Sequence, residues 1–386
     1  MGKTGTAVTS KVQLPPAEVR YADELKVIAS VDEDPRPDGW TLSPRAVVDF
    51  VCGTDGVKIG KTKKSARAIT EKFVGSRDLI QRCVVTLAGP RGLMLVGEPG
   101  TAKSMLGELL AVAISGTGAL AVQGTAGTTE DQVRYGWNYA MLLDAGPTPA
   151  ALVPSPVLTA MRTGRLVRLE EITRCLPEVQ DGLISILSER RMMIPELTGE
   201  DGGVFASPGF NVIGTANLRD RGVSEMSAAL KRRFNFETIA PIDDAARERD
   251  LVRQNAAALL DPAAGADAEV DEVLVDLLVT VFRDLRDGRT SEGWQVERPG
   301  TVMSTAEAVA VTASILREGA FFPSGFDPLT RLPGHLLGVV LKDDAKDRER
   351  LLNYWDGPVA RRADTSPHWK RLAETRWALD GAAADR

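Results

Sequence analysis

The fold of this chain is decided by the stretch LMLVGEPGTAKS, residues 93–104. Residues 93–96 are an apolar run typical of a buried strand, and a helical pattern over residues 104–114 follows the loop. A loop in this position directs backbone N–H groups at a phosphate, with Lys103 reaching the β and γ oxygens and the Ser104 hydroxyl available to Mg²⁺. We therefore assign a phosphate-binding loop to Gly97, Glu98, Pro99, Gly100, Thr101, Ala102, Lys103 and Ser104.

The loop departs at one position from the strict pattern GxxxxGK[ST], which has a glycine where this chain has Ala102. We expect the backbone there to adopt an angle that an L-residue tolerates. The two other GKT sequences, at residues 2–4 and 60–62, lack the upstream strand and glycines. They are not assigned to a phosphate site.

Two carboxylates follow a second apolar run, residues 166–169. In phosphoryl transfer, one acid at a strand end holds the Mg²⁺ shell and its neighbour activates the attacking water. Glu170 is predicted to take the first role and Glu171 the second. Adjacent acids at a strand end are common, so this assignment depends on the upstream loop. Glu170 stands where an Asp is usual, which leaves its metal affinity open.

Two further polar groups have alternative interpretations. Asn217 follows the apolar run 210–215 and either positions the attacking water or is an ordinary turn asparagine. Arg233, with Arg232 beside it, either completes the site of a neighbouring subunit or belongs to a solvated basic cluster at a helix end.

The pattern of the whole chain predicts an α/β fold followed by helices. Apolar runs at 93–96, 119–122, 166–169 and 210–215 alternate with helical stretches such as 177–189, which indicates a parallel sheet covered on both faces. From Pro241 onward the periodicity is helical, with loops at 261–266 and 287–301. We divide the chain into an N-terminal arm with short helices (1–70), an α/β nucleotide-binding core (71–240), a small all-helical lid (241–342) and a charged, tryptophan-containing tail (343–386).

Composition excludes several classes of protein. The 386 residues carry 47 Lys and Arg against 53 Asp and Glu, a formal charge of −6 that argues against nucleic acid or anionic membrane as a partner. Three widely spaced cysteines and two histidines predict neither a zinc site nor a disulfide framework, and suggest a reducing compartment. Without a long apolar run or a signal-peptide pattern, we expect a cytoplasmic protein with no membrane span.

Four motifs in this order resemble those of an AAA+ ATPase with a P-loop core and a helical lid, and their details resemble the MoxR branch. They are GEPGTAKS (97–104), LEEITR (169–174), GTAN (214–217) and ALKRRF (229–234). Alanine before the loop lysine is usual in that branch. The resemblance covers more than half of the chain, from about residue 71 to the end of the helical domain.

The resemblance implies a role for each matching residue. Thr101, Lys103 and Ser104 would bind the phosphates of ATP with Mg²⁺, and Glu170 and Glu171 would form the acidic strand end. Asn217 would be the first sensor, and Arg233, with Arg232, the arginine finger. In the lid, Ala306 stands where an arginine sensor is expected, and whether the nearby Arg298 substitutes for it is left open by the spacing.

The resemblance also implies partners. MoxR-type proteins act as homo-oligomeric rings, here expected to be a hexamer, with von Willebrand factor A-domain proteins. Residues 122–158 resemble the insert in the second helix of this clade, and residues 188–195 lead into a second insert. Both inserts would face a protein client. The tail residues Trp355, Trp369 and Trp377 either pack on the core or form a docking stripe.

Three functional hypotheses remain open from the sequence. The first is an ATP-hydrolysing ring that remodels or matures a protein client in a chaperone-like way. The second is a nucleotide-gated scaffold that binds ATP and assembles with little hydrolysis, which Glu170 and Ala306 motivate. The third is a nucleic-acid or chelatase motor of the same superfamily, which the acidic charge balance disfavours.

Overall fold

The computed structural model describes residues 14–63, 65–217, 224–260, 270–342 and 344–380. The chain divides into two compact units, the first ending at Ile239 and the second beginning at Ala240, with Glu98–Thr101 grouped with the second. The predicted loop at 261–266 lies outside the described residues.

The first unit is an α/β structure. Its helices are α1 (Ala17–Arg20), α2 (Ala22–Val31), α3 (Pro44–Cys52), α4 (Arg77–Ala88), α5 (Lys103–Ser115), α6 (Glu130–Val133), α7 (Tyr139–Ala145), α8 (Pro156–Thr163), α9 (Pro177–Asp181), α10 (Leu183–Glu189) and α11 (Ala228–Lys231). Its strands are β1 (Lys58–Ile59), β2 (Arg67–Ala68), β3 (Gly92–Gly97), β4 (Ala121–Gln123), β5 (Tyr135–Trp137), β6 (Leu152–Pro154), β7 (Leu166–Glu170), β8 (Arg191–Met193), β9 (Gly203–Phe205), β10 (Asn211–Asn217) and β11 (Phe234–Ile239).

Five of these strands form one parallel sheet in the order β11-β3-β10-β7-β4. Side chains alternate between its two faces, so Leu93 and Leu95 pack into one apolar core while Met94 and Val96 pack into the other. Strands buried on both faces read as continuous apolar runs, which is why the sequence reveals them. The predicted α/β fold with a parallel sheet is confirmed.

Strand β11 is absent from the sequence-based prediction. The polar residues Asn235 and Glu237 interrupt its apolar pattern, and Phe236 and Thr238 are exposed to solvent, so this edge strand does not read as a continuous apolar run. The remaining strands pair as small antiparallel hairpins, β1 with β2, β5 with β6 and β8 with β9. The last two hairpins lie within the two segments that resemble clade-specific inserts.

The N-terminal helices pack on the first unit. The backbone N–H of Ala17 donates to Glu108 Oε1 on α5 at 3.0 Å. Lys72 is buried, with Nζ 2.5 Å from Glu24 Oε2 and donating to the carbonyl oxygen of Phe50 at 3.0 Å. The first contact joins α1 to α5, the helix that follows the phosphate-binding loop, and the Lys72 contacts join α2 to α3.

The second unit is helical. Its helices are α12 (Ala245–Ala258), α13 (Glu272–Asp287), α14 (Thr305–Phe321), α15 (Pro328–Val340), α16 (Asp347–Tyr354), α17 (Ala360–Ala363) and α18 (Pro367–Ala373), with a π-turn at Trp355–Val359 and a 3₁₀ turn at Arg376–Leu379. Tyr354, Trp355 and Leu372 belong to the same apolar core as α13, α14 and α15. Residues beyond 343 therefore complete this core, and Trp377 remains 58% exposed.

A buried arginine ties the end of the second unit to α13. Arg362 Nη1 lies 2.7 Å from Asp284 Oδ2, and its Nη2 lies 2.6 Å from Glu292 Oε2. The Arg362 and Asp284 side chains are 6% and 5% exposed. Hydrogen bonds from Arg362 lower the pKa of Glu292 to about 2. Asp284 also accepts from the Tyr354 hydroxyl at 2.7 Å, so one cation satisfies several polar groups.

We expect Arg362→Leu to lower the free energy of unfolding of the second unit by about 3–5 kcal/mol, because it leaves Asp284 buried without its cation. The measurement is urea unfolding followed by tryptophan fluorescence, since four of the six tryptophans lie in this unit. The matched control is Arg361→Leu at an exposed arginine over the Trp294 ring, with an expected cost below about 1 kcal/mol. Equal losses in the two variants would contradict the prediction.

Candidate phosphate-binding site

The loop between β3 and α5 has a specific backbone geometry. Gly100 and Ala102 both have left-handed backbone angles, with φ of 76° and 62°. Left-handed φ is costly for alanine, so the loop holds Ala102 in a sparsely populated conformation that an L-residue tolerates only at a price in stability. Lys103 is the first residue of α5, is 7% exposed and donates from Nζ to the Gly97 carbonyl oxygen at 3.2 Å.

The carboxyl ends of β3, β10 and β7 meet at one edge of the sheet. In the parallel register Asn217 of β10 lies opposite Gly97 of β3, and β10 also pairs with β7, which ends at Glu170. Ligand sites of open parallel sheets lie outside the carboxyl ends of the strands. The loop, the acidic strand end and Asn217 are therefore neighbours, although 47 residues separate Glu170 from Asn217 in the sequence.

Glu170 is the centre of the hydrogen-bond network at this edge. It is 7% exposed, and its Oε2 accepts from Ser104 Oγ at 2.6 Å and from Thr215 Oγ1 at 2.8 Å. The structure thus joins the residues predicted for the metal, Ser104 and Glu170. The sequence analysis missed Thr215. The feature that could have indicated it is a hydroxyl residue in an otherwise apolar strand, two residues before Asn217.

Glu171 begins the turn after β7. Its φ of 51° is left-handed, and its backbone N–H donates to Thr215 Oγ1 at 2.9 Å. Its carboxylate is about one-third exposed and pairs with Arg174, with 2.6 Å between Glu171 Oε2 and Arg174 Nε. The Thr215 hydroxyl therefore links both acids, since it accepts from the backbone of Glu171 and donates to the side chain of Glu170.

A second residue missed from the sequence is Arg168. Its Nη1 lies 2.6 Å from Glu170 Oε1, and its Nη2 donates to the Gly118 carbonyl oxygen at 2.9 Å. Residues two apart on a strand share a face, so the spacing of Arg168 and Glu170 was a usable signal.

The two candidate finger arginines differ in their surroundings. Arg233 Nε donates to Ser188 Oγ and its Nη1 to the Ala229 carbonyl oxygen, both at 2.8 Å. Arg232 is exposed at the end of α11. Asn217 is half-buried at the end of β10.

The donor set suits a nucleotide carried with Mg²⁺. Mg²⁺ prefers oxygen ligands and is usually held by one or two carboxylates together with substrate phosphates. Ser104 and Glu170 supply two such oxygens beside the loop. Within the described ranges no group of three or more His, Cys, Asp and Glu residues is placed to hold a metal ion by itself. The residues present therefore fit a metal that arrives with a phosphate ligand.

Comparison with known proteins gives the class and then the family. Residues 92–234 match the AAA domain of the dynein-related subfamily, so the first unit contains an AAA+ ATPase domain. Residues 246–380 match the YehL-like AAA+ ATPase C-terminal domain. The chain is 46% identical over 368 residues to the protein YehL of Escherichia coli (strain K12), which covers 95% of this chain and 98% of that protein. It belongs to the YehL-like AAA+ ATPases.

More distant relatives share part of the chain. The protein YojN of Bacillus subtilis (strain 168) is 27% identical over 222 residues, which cover 54% of this chain and 64% of YojN. The protein SH1500 of Staphylococcus haemolyticus (strain JCSC1435) is 26% identical over 196 residues, 51% of this chain and 68% of that protein. Of the helices that the structure describes, none has the length and apolar character needed to cross a membrane.

We expect Ala102→Gly to raise the free energy of unfolding of the first unit by about 0.5–1 kcal/mol, because glycine adopts a left-handed φ without strain. The control is Ala113→Gly in the interior of α5, expected to lower it by about 1 kcal/mol or more. Urea unfolding followed by circular dichroism measures both. A loss of stability in Ala102→Gly would show that the left-handed angle carries no strain.

Proposed function

We propose that this AAA+ protein is an ATP hydrolase of the MoxR type that works as a cytoplasmic ring, a hexamer, and remodels or matures a protein client in a chaperone-like way. Residues 71–240 are its nucleotide-binding core and residues 241–342 its lid. The observation that carries the ATPase proposal is the shared carboxylate of Glu170, which accepts from both Ser104 and Thr215 beside the loop.

Each side chain has a distinct task in this proposal. The loop N–H groups and Lys103 bind the β and γ phosphates, while Ser104 and Glu170 hold the Mg²⁺ ion and its water shell. When bound, Mg²⁺ neutralises charge on the phosphate oxygens. Glu171 accepts a proton from the attacking water, and Asn217 orients that water.

Glu171 must exchange a partner before it can act. Its carboxylate oxygen Oε2 lies 2.6 Å from Arg174 Nε, so this oxygen is already engaged by a cation. The water-activating role therefore requires Glu171 to turn away from Arg174 when nucleotide and water occupy the site.

The same ion pair favours a second candidate function, a nucleotide-gated scaffold that binds ATP and assembles with little hydrolysis. Glu171 held by Arg174 would leave the attacking water without a base. Ala306, exposed in the first turn of α14, supplies no charged lid sensor. The scaffold would bind ATP through the same residues as the hydrolase and would differ from it only in the rate of hydrolysis.

The client and partner proposals depend on the two inserts. Exposed apolar side chains lie on both, with Tyr139 and Leu143 of α7 at 69% and 89% exposure and Phe205 of β9 at 71%. Contiguous exposed apolar patches mark protein-binding surfaces, and Tyr139 and Leu143 are neighbours on one face of α7 because they are four residues apart. By its MoxR-type resemblance, we propose a von Willebrand factor A-domain protein as the partner.

Phosphate release from ATP, measured against protein concentration, tests hydrolysis. We expect release to rise more than linearly with concentration, and Lys103→Ala and Glu171→Gln each to lower it by at least about 100-fold. Glu171→Gln should still bind ATP, because it keeps the loop. ATP-dependent assembly without release from the unaltered chain would favour the scaffold. Full turnover in Glu171→Gln would contradict its role as base.

Mixed rings test the arginine finger. Because Arg232 is exposed and Arg233 is bonded within its own subunit, we expect Arg232→Ala to lower release by about 1,000-fold without weakening ATP binding. Mixing it with Glu171→Gln should restore part of the activity, since the Glu171→Gln subunit offers an intact Arg232 to the Arg232→Ala subunit's site. A mixture that releases phosphate no faster than the two separate variants would show that Arg232 does not act between subunits.

A further inference from the structure

Arg168 interrupts the otherwise apolar strand β7. Its side chain is only 14% exposed, and its Nε is buried without a hydrogen-bond partner in the part of the chain that the structure describes. A buried N–H group without a partner lowers stability, and an apolar side chain at this position would not carry that cost. A residue that violates local packing in this way is expected at a functional site.

Arg168 fixes the direction of the Glu170 carboxylate. Glu170 Oε1 lies 2.6 Å from Arg168 Nη1, while Oε2 accepts from Ser104 and Thr215. Both oxygens are therefore engaged from different sides. The second guanidinium nitrogen is anchored on Gly118, so the arginine itself is held in place. A glutamate has one more rotatable bond than an aspartate, and this arrangement restrains it.

Arg168 also changes the charge balance of the site. Its guanidinium places one positive charge 2.6 Å from the carboxylate of Glu170, which is itself hydrogen-bonded to Ser104 at the start of α5. A carboxylate paired with a cation repels a phosphate chain less than an unpaired carboxylate does. With an apolar residue at position 168, Glu170 would lose this compensating charge.

We propose that Arg168 is a positioning residue that holds Glu170 and supplies a permanent positive charge to the nucleotide site. It neutralises Glu170 when no metal is bound, so the triphosphate of ATP is not repelled by that carboxylate. ATP consequently binds well without its metal, and Mg²⁺ adds little to the affinity. This inference rests on the proposed function, because it takes residues 97–104 as the ATP site.

The test uses the full-length protein and a fluorescent ATP analogue. The dissociation constant is measured once in EDTA and once in excess Mg²⁺, and the EDTA value is divided by the Mg²⁺ value. Arg168→Leu should raise this ratio about tenfold, mainly by weakening metal-free binding. Arg168→Lys keeps the charge and should stay within about threefold of the unaltered chain. Arg168→Leu/Glu170→Gln removes both charges and should return the metal-free dissociation constant close to its original value.

The matched control is Arg165→Leu, which removes an exposed arginine just before β7 and should leave the ratio unchanged. Thermal melting identifies any variant that fails to fold. If Arg168→Leu does not fold, the double variant Arg168→Leu/Glu170→Gln tests the proposal in its place. A ratio for folded Arg168→Leu within about twofold of the unaltered chain, or an equal shift in Arg165→Leu, would overturn the role of Arg168 but not the proposed ATP site. Failure of the unaltered chain to bind the analogue would overturn the proposed ATP site as well.

Discussion

The site depends on the parallel register of β10 with its two neighbours, β3 and β7. This pairing brings the loop lysine, two acids and an asparagine to one edge of the sheet. The Thr215 hydroxyl then holds both acids in position, since it forms hydrogen bonds to the side chain of Glu170 and to the backbone of Glu171. The chemistry of the edge is thus set by backbone pairing first and by one hydroxyl second.

The sequence predicted the parts of the fold whose local pattern is strong. The runs 93–96 and 166–169 are apolar throughout because both faces of their strands are buried, and the helix α5 follows the loop as expected. Strand β11 escaped prediction because solvent reaches alternate residues, so neither an apolar run nor a helical period stands out. Element boundaries also differ by one or two residues, since α5 begins at Lys103 and not at residue 104, and β4 begins at Ala121 and not at residue 119.

The site residues also divide into those with a strong local sequence pattern, which were predicted, and those whose contacts depend on the folded structure, which were not. Ser104, Glu170 and Asn217 were predicted because each stands at the end of an apolar run or beside a glycine loop. Thr215 lies within a strand, where a buried hydroxyl is as common in packing as in chemistry, and only the structure shows that it contacts the Glu170 carboxylate and the Glu171 backbone. The same holds for Arg174, whose pairing with Glu171 requires the left-handed turn after β7.

Strand β11 is the last strand on its side of the sheet, so the outer row of its backbone N–H and C=O groups has no neighbouring strand among the described residues. Such an edge invites the addition of a strand from another molecule, which is a common route to aggregation. Arg82 on α4 forms two hydrogen bonds to Glu237 of β11, at 2.9 and 3.0 Å. A strand added here would have to bury or break this ion pair. The sheet therefore ends with a charged border that disfavours the addition of a strand from another molecule.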